Sequence, residues 1–364
     1  MRVAILLNRG RPRLRTLGKQ ALSLGYELAQ GRAVGAGTIP PEFDGLARLL
    51  DPSPLVLGTE SPIDWRALAA CDLLLWEWGW TEVPAARIRE VRRCVDVPLV
   101  MFPGPLDRFW REVDPGHLPT HCEALRLTDG IGVMLRDTIG AYAALAPAAH
   151  VFHMPVPVDT AHFGAIATDP AAREERLVLL TAPTRFCGPA SQLPITTYLA
   201  FRRLLAERPR LEGLAFCYDD EERRQAEAVL RELGLAGRVQ VRAYVRPLGR
   251  FLDLVKSCRL ALALPHALIQ GRTALMAACL RIPMVTSDDV ETHRTLFPWT
   301  TVRWHDVDGA VAACRRLLED EAFAHGVREH ASAAADYYAV PRARARLAAA
   351  VEVIRERRIV REGA

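Results

Sequence analysis

The sequence predicts an α/β protein with two parallel-sheet domains, and three observations carry that prediction. Each half of the chain alternates short apolar runs with longer segments of helical periodicity, the pattern of repeated βαβ units. A proline-punctuated stretch near the middle separates the two alternations. The length, 364 residues, exceeds what one ordinary core serves and suits two.

In the first half, residues 3–7 read as a strand and 14–24 as a helix. Residues 66–70 then lead into a strand at 73–76, and 85–93 into a strand at 97–102. Both passages end in loops at the carboxyl ends of strands, the edge where open α/β sheets bind ligands. In the stretch 147–163 prolines recur at 155 and 157, which excludes helix and favours an extended connector. The expected division is an N-terminal domain over 1–155, a C-terminal domain over 156–335, and a terminal helix.

The second half gives strands at 177–181, 214–218, 239–244, 260–264 and 284–287, with helices at 195–207, 221–233, 248–257 and 273–280 between them. Its connections are short, as in a complete Rossmann-like domain. Residues 341–358 place Leu347, Val351 and Ile354 at helical spacing. This segment, within 336–364, is expected to pack back towards the N-terminal domain.

Composition excludes several classes. Half the residues are apolar and a quarter charged, and no run approaches eighteen apolar residues without a charge or proline, which argues against a membrane span or dominant disorder. The opening apolar run is too short for a secretory signal, so the expected compartment is the cytoplasm. Eight scattered cysteines without Cys-x-x-Cys spacing predict buried thiols, with neither a disulfide framework nor a metal site. The net charge of +4, carried almost wholly by arginine, gives no reason to expect nucleic acid as a partner.

Four segments follow one another in order: the connector at 154–163, Met-Pro-Val-Pro-Val-Asp-Thr-Ala-His-Phe; the helix end and strand at 234–241; the strand ending at Pro265; and 271–285, Gly-Arg-Thr-Ala-Leu-Met-Ala-Ala-Cys-Leu-Arg-Ile-Pro-Met-Val. In that order they resemble the family-4-type retaining glycosyltransferases. The resemblance implies GT-B architecture: two Rossmann-like domains facing a central cleft, the C-terminal one binding a nucleotide-sugar donor and the N-terminal one an acceptor. It implies retention of configuration, no metal ion and no cofactor beyond the nucleotide sugar as co-substrate. The chain departs from the family where two glutamates, eight positions apart, usually stand: Leu268 and Met276 occupy those places. Neither side chain accepts a hydrogen bond from a ribose hydroxyl. A non-catalytic relative that keeps the fold is therefore the alternative.

No catalytic residue is assigned. On the donor side, Gly271 lets backbone approach a ligand, and the helix opening near Thr273 presents free N–H groups to a diphosphate. Thr273 is also a candidate helix cap. Arg185 stands where the family has its diphosphate-binding arginine, and Arg272 is a candidate for the absent lysine at Gln192. His266, directly after Pro265, is a candidate contact to nucleotide or sugar. Glu291, with Asp288 and Asp289 in an expected acidic loop, is a candidate acceptor for ribose hydroxyls. On the acceptor side the candidates are Arg9, the tryptophans Trp76, Trp78 and Trp80, and the histidines His117 and His121. The acceptor itself, whether small molecule, glycan or protein, is left open.

Overall fold

A computed structural model of the chain describes residues 3–7, 55–58, 63–77, 85–103, 118–155, 157–166, 173–179, 195–217, 220–243, 248–266 and 271–362. They form two compact units. One runs to Val158 and resumes at Tyr338, and the other runs from Asp159 to Tyr337.

The sheet of the first unit contains β1 (Val3–Leu7), β2 (Leu55–Gly58), β3 (Leu73–Glu77), β4 (Leu99–Phe102), β5 (Gly130–Val133) and β6 (His150–His153). All pair in parallel, in the order β2-β1-β3-β4-β5-β6. Successive strand residues point to opposite faces, so each strand feeds two cores. Leu74, Trp76, Leu99, Met101, Ile131 and Val133 join one cluster, while Leu73, Leu75, Val100 and Phe102 join the other. Burial on both faces explains why these strands read as continuous apolar runs.

The first cluster is covered by α1 (Trp65–Ala69), α2 (Ala85–Cys94), α3 (Leu118–Arg126) and α4 (Ile139–Leu145), through Leu68, Ile88, Val91, Ala124, Leu125 and Tyr142. The C-terminal helix, Val340–Glu362, covers the second with Ala343, Leu347, Val351 and Ile354. Burying one such aliphatic side chain contributes roughly 1.5–3 kcal/mol. Asp129 fastens that helix to the sheet: Oδ2 accepts from Leu99 N at 2.8 Å and Arg92 Nη2 at 2.6 Å, and lies 3.6 Å from Arg358 Nη1.

The second unit's sheet contains β7 (Glu174–Leu179), β8 (Glu212–Cys217), β9 (Val239–Ala243), β10 (Cys258–Ala263), β11 (Met284–Ser287) and β12 (Thr301–Val302). These are also parallel, in the order β12-β11-β10-β7-β8-β9. Counted from β7, that is 6-5-4-1-2-3, a doubly wound order whose direction reverses between β7 and β10. Its helices are α5 (Thr160–Ile166), α6 (Ile195–Glu207), α7 (Asp220–Glu232), α8 (Leu248–Lys256), α9 (Arg272–Cys279), α10 (Glu291–Leu296), α11 (Val307–Glu319) and α12 (Glu321–Ala335). Local chemistry sets several boundaries. Asp306 caps α11 through Gly309 N at 2.8 Å, and Asp320 caps α12 through Phe323 N at 2.9 Å.

The structure departs from the sequence reading in places. The connector opens as β6, because both prolines lie beyond that strand, and it closes in α5. The strands β2 and β5 carry little sequence signal: both are four residues long, and β5 interrupts its apolar run with glycine. The helix expected over 14–24 lies outside the described residues. Among the described cysteines, Cys217, Cys258, Cys279 and Cys314 are buried, whereas Cys94 is exposed at the end of α2. Among the described residues no helix is long and apolar enough to cross a membrane.

Candidate functional site

The reversal between β7 and β10 directs attention to the carboxyl end of the second sheet, where adjacent connections diverge and leave a crevice. The end of β10 is held from two sides. Leu264 N donates to Thr197 Oγ1 of α6 at 2.9 Å, and Ser287 Oγ, at the end of β11, donates to the Pro265 carbonyl. The next residue, His266, is thereby fixed at the sheet edge. Its Nδ1 donates to Asp289 Oδ2, and its ring stacks on Trp304 with centroids 4.7 Å apart and planes inclined by 28°. These three residues follow the neighbouring strands β10, β11 and β12. His266 and Asp289 keep side-chain exposures of 39% and 30%, enough to meet a ligand.

Gly271 is the N-cap of α9, with φ 70° and ψ 42°. Glycine adopts this left-handed conformation without the Cβ penalty. Its carbonyl accepts from Ala274 N at 2.9 Å and Leu275 N at 3.2 Å, while glycine has no side chain to cap the amides of Arg272 and Thr273. Such an N-terminus, with exposed Arg272 beside it, favours an anion. The other end of α9 is held by Arg173, whose guanidinium donates to the carbonyls of Arg281 at 2.8 Å and Leu280 at 3.0 Å.

Behind Gly271 lies His293 of α10, fully buried. Its Nδ1 donates to the Ser287 carbonyl at 3.2 Å and lies beside Thr286 Oγ1, and burial pushes its pKa down to about 3, so the ring is neutral at ordinary pH. The backbone of β11 and the position of Gly271 thus rest on one neutral imidazole.

Several sequence candidates are relocated. Thr273 lies inside α9 and does not cap it, because the chain turns at Gly271. Glu291 belongs to the first turn of α10 and not to a solvated loop, and it is only 8% exposed, since α10 begins directly after Val290 and turns this side chain inward. Trp76 is 0% exposed and packs in the first core, because its position in β3 points it to the face covered by helices; this corrects its reading as an acceptor surface. His121, 2% exposed, lies on the inward face of α3 with Ala124 and Leu125, which corrects its placement at a cleft. Met276 is half-buried on α9. Arg9, Trp78, Trp80, His117, Arg185 and Leu268 lie outside the described residues. Of the donor-side candidates, His266, Gly271, Arg272 and Thr273 come to one edge of one sheet. Trp304 and His293 carry no sequence signal as site residues, and Asp289 only that of a charged loop: their partners are 38, 22 and 23 positions distant, and only the sheet order joins them.

No protein-family model matches the chain, and no curated protein matches it by sequence. Solved structures do match. The N-terminal domain of a trehalose-6-phosphate phosphatase from Candida albicans aligns with TM-score 0.64 at 10% identity, covering 97% of each chain. The trehalose-6-phosphate synthase OtsA aligns with TM-score 0.68 at 11% identity, covering 97% of this chain and 99% of its own. Alr3699/HepE from Anabaena, solved in complex with UDP, aligns with TM-score 0.65 at 14% identity, covering 97% and 100%. Two parallel sheets, the doubly wound order of the second and near-complete alignment lead to one conclusion: the chain has the two-domain α/β fold of the GT-B glycosyltransferases.

Proposed function

We propose that this protein is a glycosyltransferase that moves a sugar from a nucleotide-sugar donor to an acceptor, with the donor held by the second unit. One observation carries the reading: at the strand reversal, the uncapped N-terminus of α9 and the fixed His266–Asp289 pair occupy the same sheet edge. The likeness to a UDP-bound neighbour supports a nucleoside diphosphate as the ligand class. The four family-4-type segments support the finer assignment, with retention of configuration and no metal ion.

The chemistry follows from charge. As the bond from the sugar's anomeric carbon to the diphosphate oxygen breaks, negative charge grows on the leaving group. The amides of Arg272 and Thr273, the Arg272 guanidinium and the Arg185 guanidinium offset that charge, the main electrostatic task in such a transfer. Gly271 lets the backbone come close enough to do so.

A ligand at a hundred times its dissociation constant stabilises its protein by about 2.7 kcal/mol. Across UDP, GDP, ADP and their sugar conjugates, one nucleotide is expected to raise the melting temperature selectively, and Arg272→Ala to remove most of that rise. No rise with any nucleotide rejects the proposal. The absence of glutamate at 268 and 276 favours a second reading, a binding protein without transfer. That reading predicts the same thermal shift with no release of nucleoside diphosphate when acceptors are added.

A further inference from the structure

We propose that His266, Asp289 and Trp304 form a hydroxyl-recognition subsite for the transferred sugar, an inference that rests on the nucleotide-sugar reading above. The support is geometric. Three neighbouring strands each deliver one member of the cluster just beyond their carboxyl ends, so the cluster is built by the sheet and not by one flexible loop. Asp289 accepts from His266 Nδ1, and Trp304 lies against the imidazole face, which together leave the ring little freedom about either χ angle. His305 packs edge-on to Trp304 with centroids 5.1 Å apart and supports the indole in turn.

This arrangement selects a chemistry. With Nδ1–H bonded to Asp289, the imidazole turns Nε2 outward, where it can pair with a ligand hydroxyl, a group that both donates and accepts. That nitrogen has no hydrogen-bond partner among the described residues, and the side chain is open to solvent. A fixed ring nitrogen beside a carboxylate that retains lone pairs suits the hydroxyl groups of a sugar. A diphosphate oxygen is itself an acceptor and gains nothing from the carboxylate. The cluster lies at the same sheet edge as the α9 N-terminus, which takes the anion. The inference therefore divides the site: α9 binds the diphosphate, and His266 distinguishes the sugar attached to it. It also places an acceptor on the second unit although Met276 holds one of the family's glutamate positions.

The test is calorimetric titration of the full chain with UDP and UDP-glucose, GDP and GDP-mannose, and ADP and ADP-glucose, comparing each diphosphate with its sugar conjugate. His266→Phe keeps an aromatic ring against Trp304 and removes both nitrogens. It is expected to weaken the preferred sugar conjugate about tenfold and leave its diphosphate within about twofold, in line with the loss of one hydrogen bond. Asp289→Ala is expected to shift the same ratio in the same direction by less, and His266→Gln, which keeps an acceptor, to recover part of it. Circular dichroism and melting of each variant establish folding, and His266→Gln provides the comparison if the phenylalanine variant does not fold. Equal weakening of both ligands, or unchanged binding of both, overturns the subsite. If the unaltered chain binds none of these pairs, the nucleotide-sugar reading falls and this inference with it.

Discussion

A methyl group added to Gly271 would sit 2.9 Å from Val290 Cγ1 and 3.0 Å from His293 Cδ2, on a backbone already at φ 70°. The two atoms belong to side chains held in place, His293 by Ser287 and Val290 by burial, so neither yields easily. Gly271→Ala is expected to lower the free energy of unfolding by at least ~2 kcal/mol, from left-handed strain and overpacking together, with a lower urea midpoint at unchanged slope. His293 makes a second prediction. Its folded pKa, about 3, lies below the unfolded value near 6.5, so the unfolded chain takes up the proton first as acid is added. The associated stability is complete above about pH 6.5 and is lost towards pH 3. His153 acts in the same sense, pushed down to about 4 by burial first and then by Arg136 and Arg346, against the hydrogen bond to Met134 O. Each such proton costs up to about 1.4 kcal/mol per pH unit within its window. Denaturant melts at pH 7 and pH 4.5 are expected to show a smaller loss for His293→Leu than for the unaltered chain, whatever the variant's stability at pH 7. An equal loss means that His293 does not carry the effect.

The strand β5 shows how an element meets its neighbours. Ile131 and Val133 face the core covered by α1 to α4, while Gly130 and Gly132 face the side covered by the C-terminal helix. A Cβ on Gly132 would lie 2.4 Å from the Phe102 ring, and one on Gly130 the same distance from Ile354 Cδ1 of the C-terminal helix. Glycine therefore lets those groups lie close to the sheet, at some cost to strand propensity. Gly140, inside α4, has nothing within 4 Å of an added Cβ. The two positions should respond oppositely: Gly132→Ala destabilises by about 1–3 kcal/mol through a rigid ring clash, and Gly140→Ala stabilises by about 0.5–1 kcal/mol through helix propensity. Paired chemical denaturation curves check both signs. The helical spacing of Leu347, Val351 and Ile354 was legible because a 3.6-residue period survives in the sequence, whereas the glycines of β5 break the apolar run that marks a strand. Leu347→Ala is expected to cost about 2–5 kcal/mol, as for other buried leucines.

The proposed donor site is built within 159–337, whereas the C-terminal helix completes the core of the other unit. Hydrogen exchange with saturating nucleotide is expected to slow amides near 264–274 more than those of 347–354. Uniform slowing, or slowing confined to the C-terminal helix, would contradict a donor site at β10 and α9.

By itself the sequence determined the fold class, the alternation of strands and helices in both halves, and the candidacy of His266, Gly271 and Arg272. Each depends on a local signal: hydrophobic period, a glycine before a helix, a polar residue after a strand. Only the tertiary structure decided that Trp76 and His121 are packing residues, since a sequence does not say which face of a strand or helix is covered. It also decided that Asp289 and Trp304 meet His266, because the order β12-β11-β10 brings together strand ends separated by some forty residues of chain. Periodicity is written along the chain; adjacency between strands is set by how the whole sheet is wound.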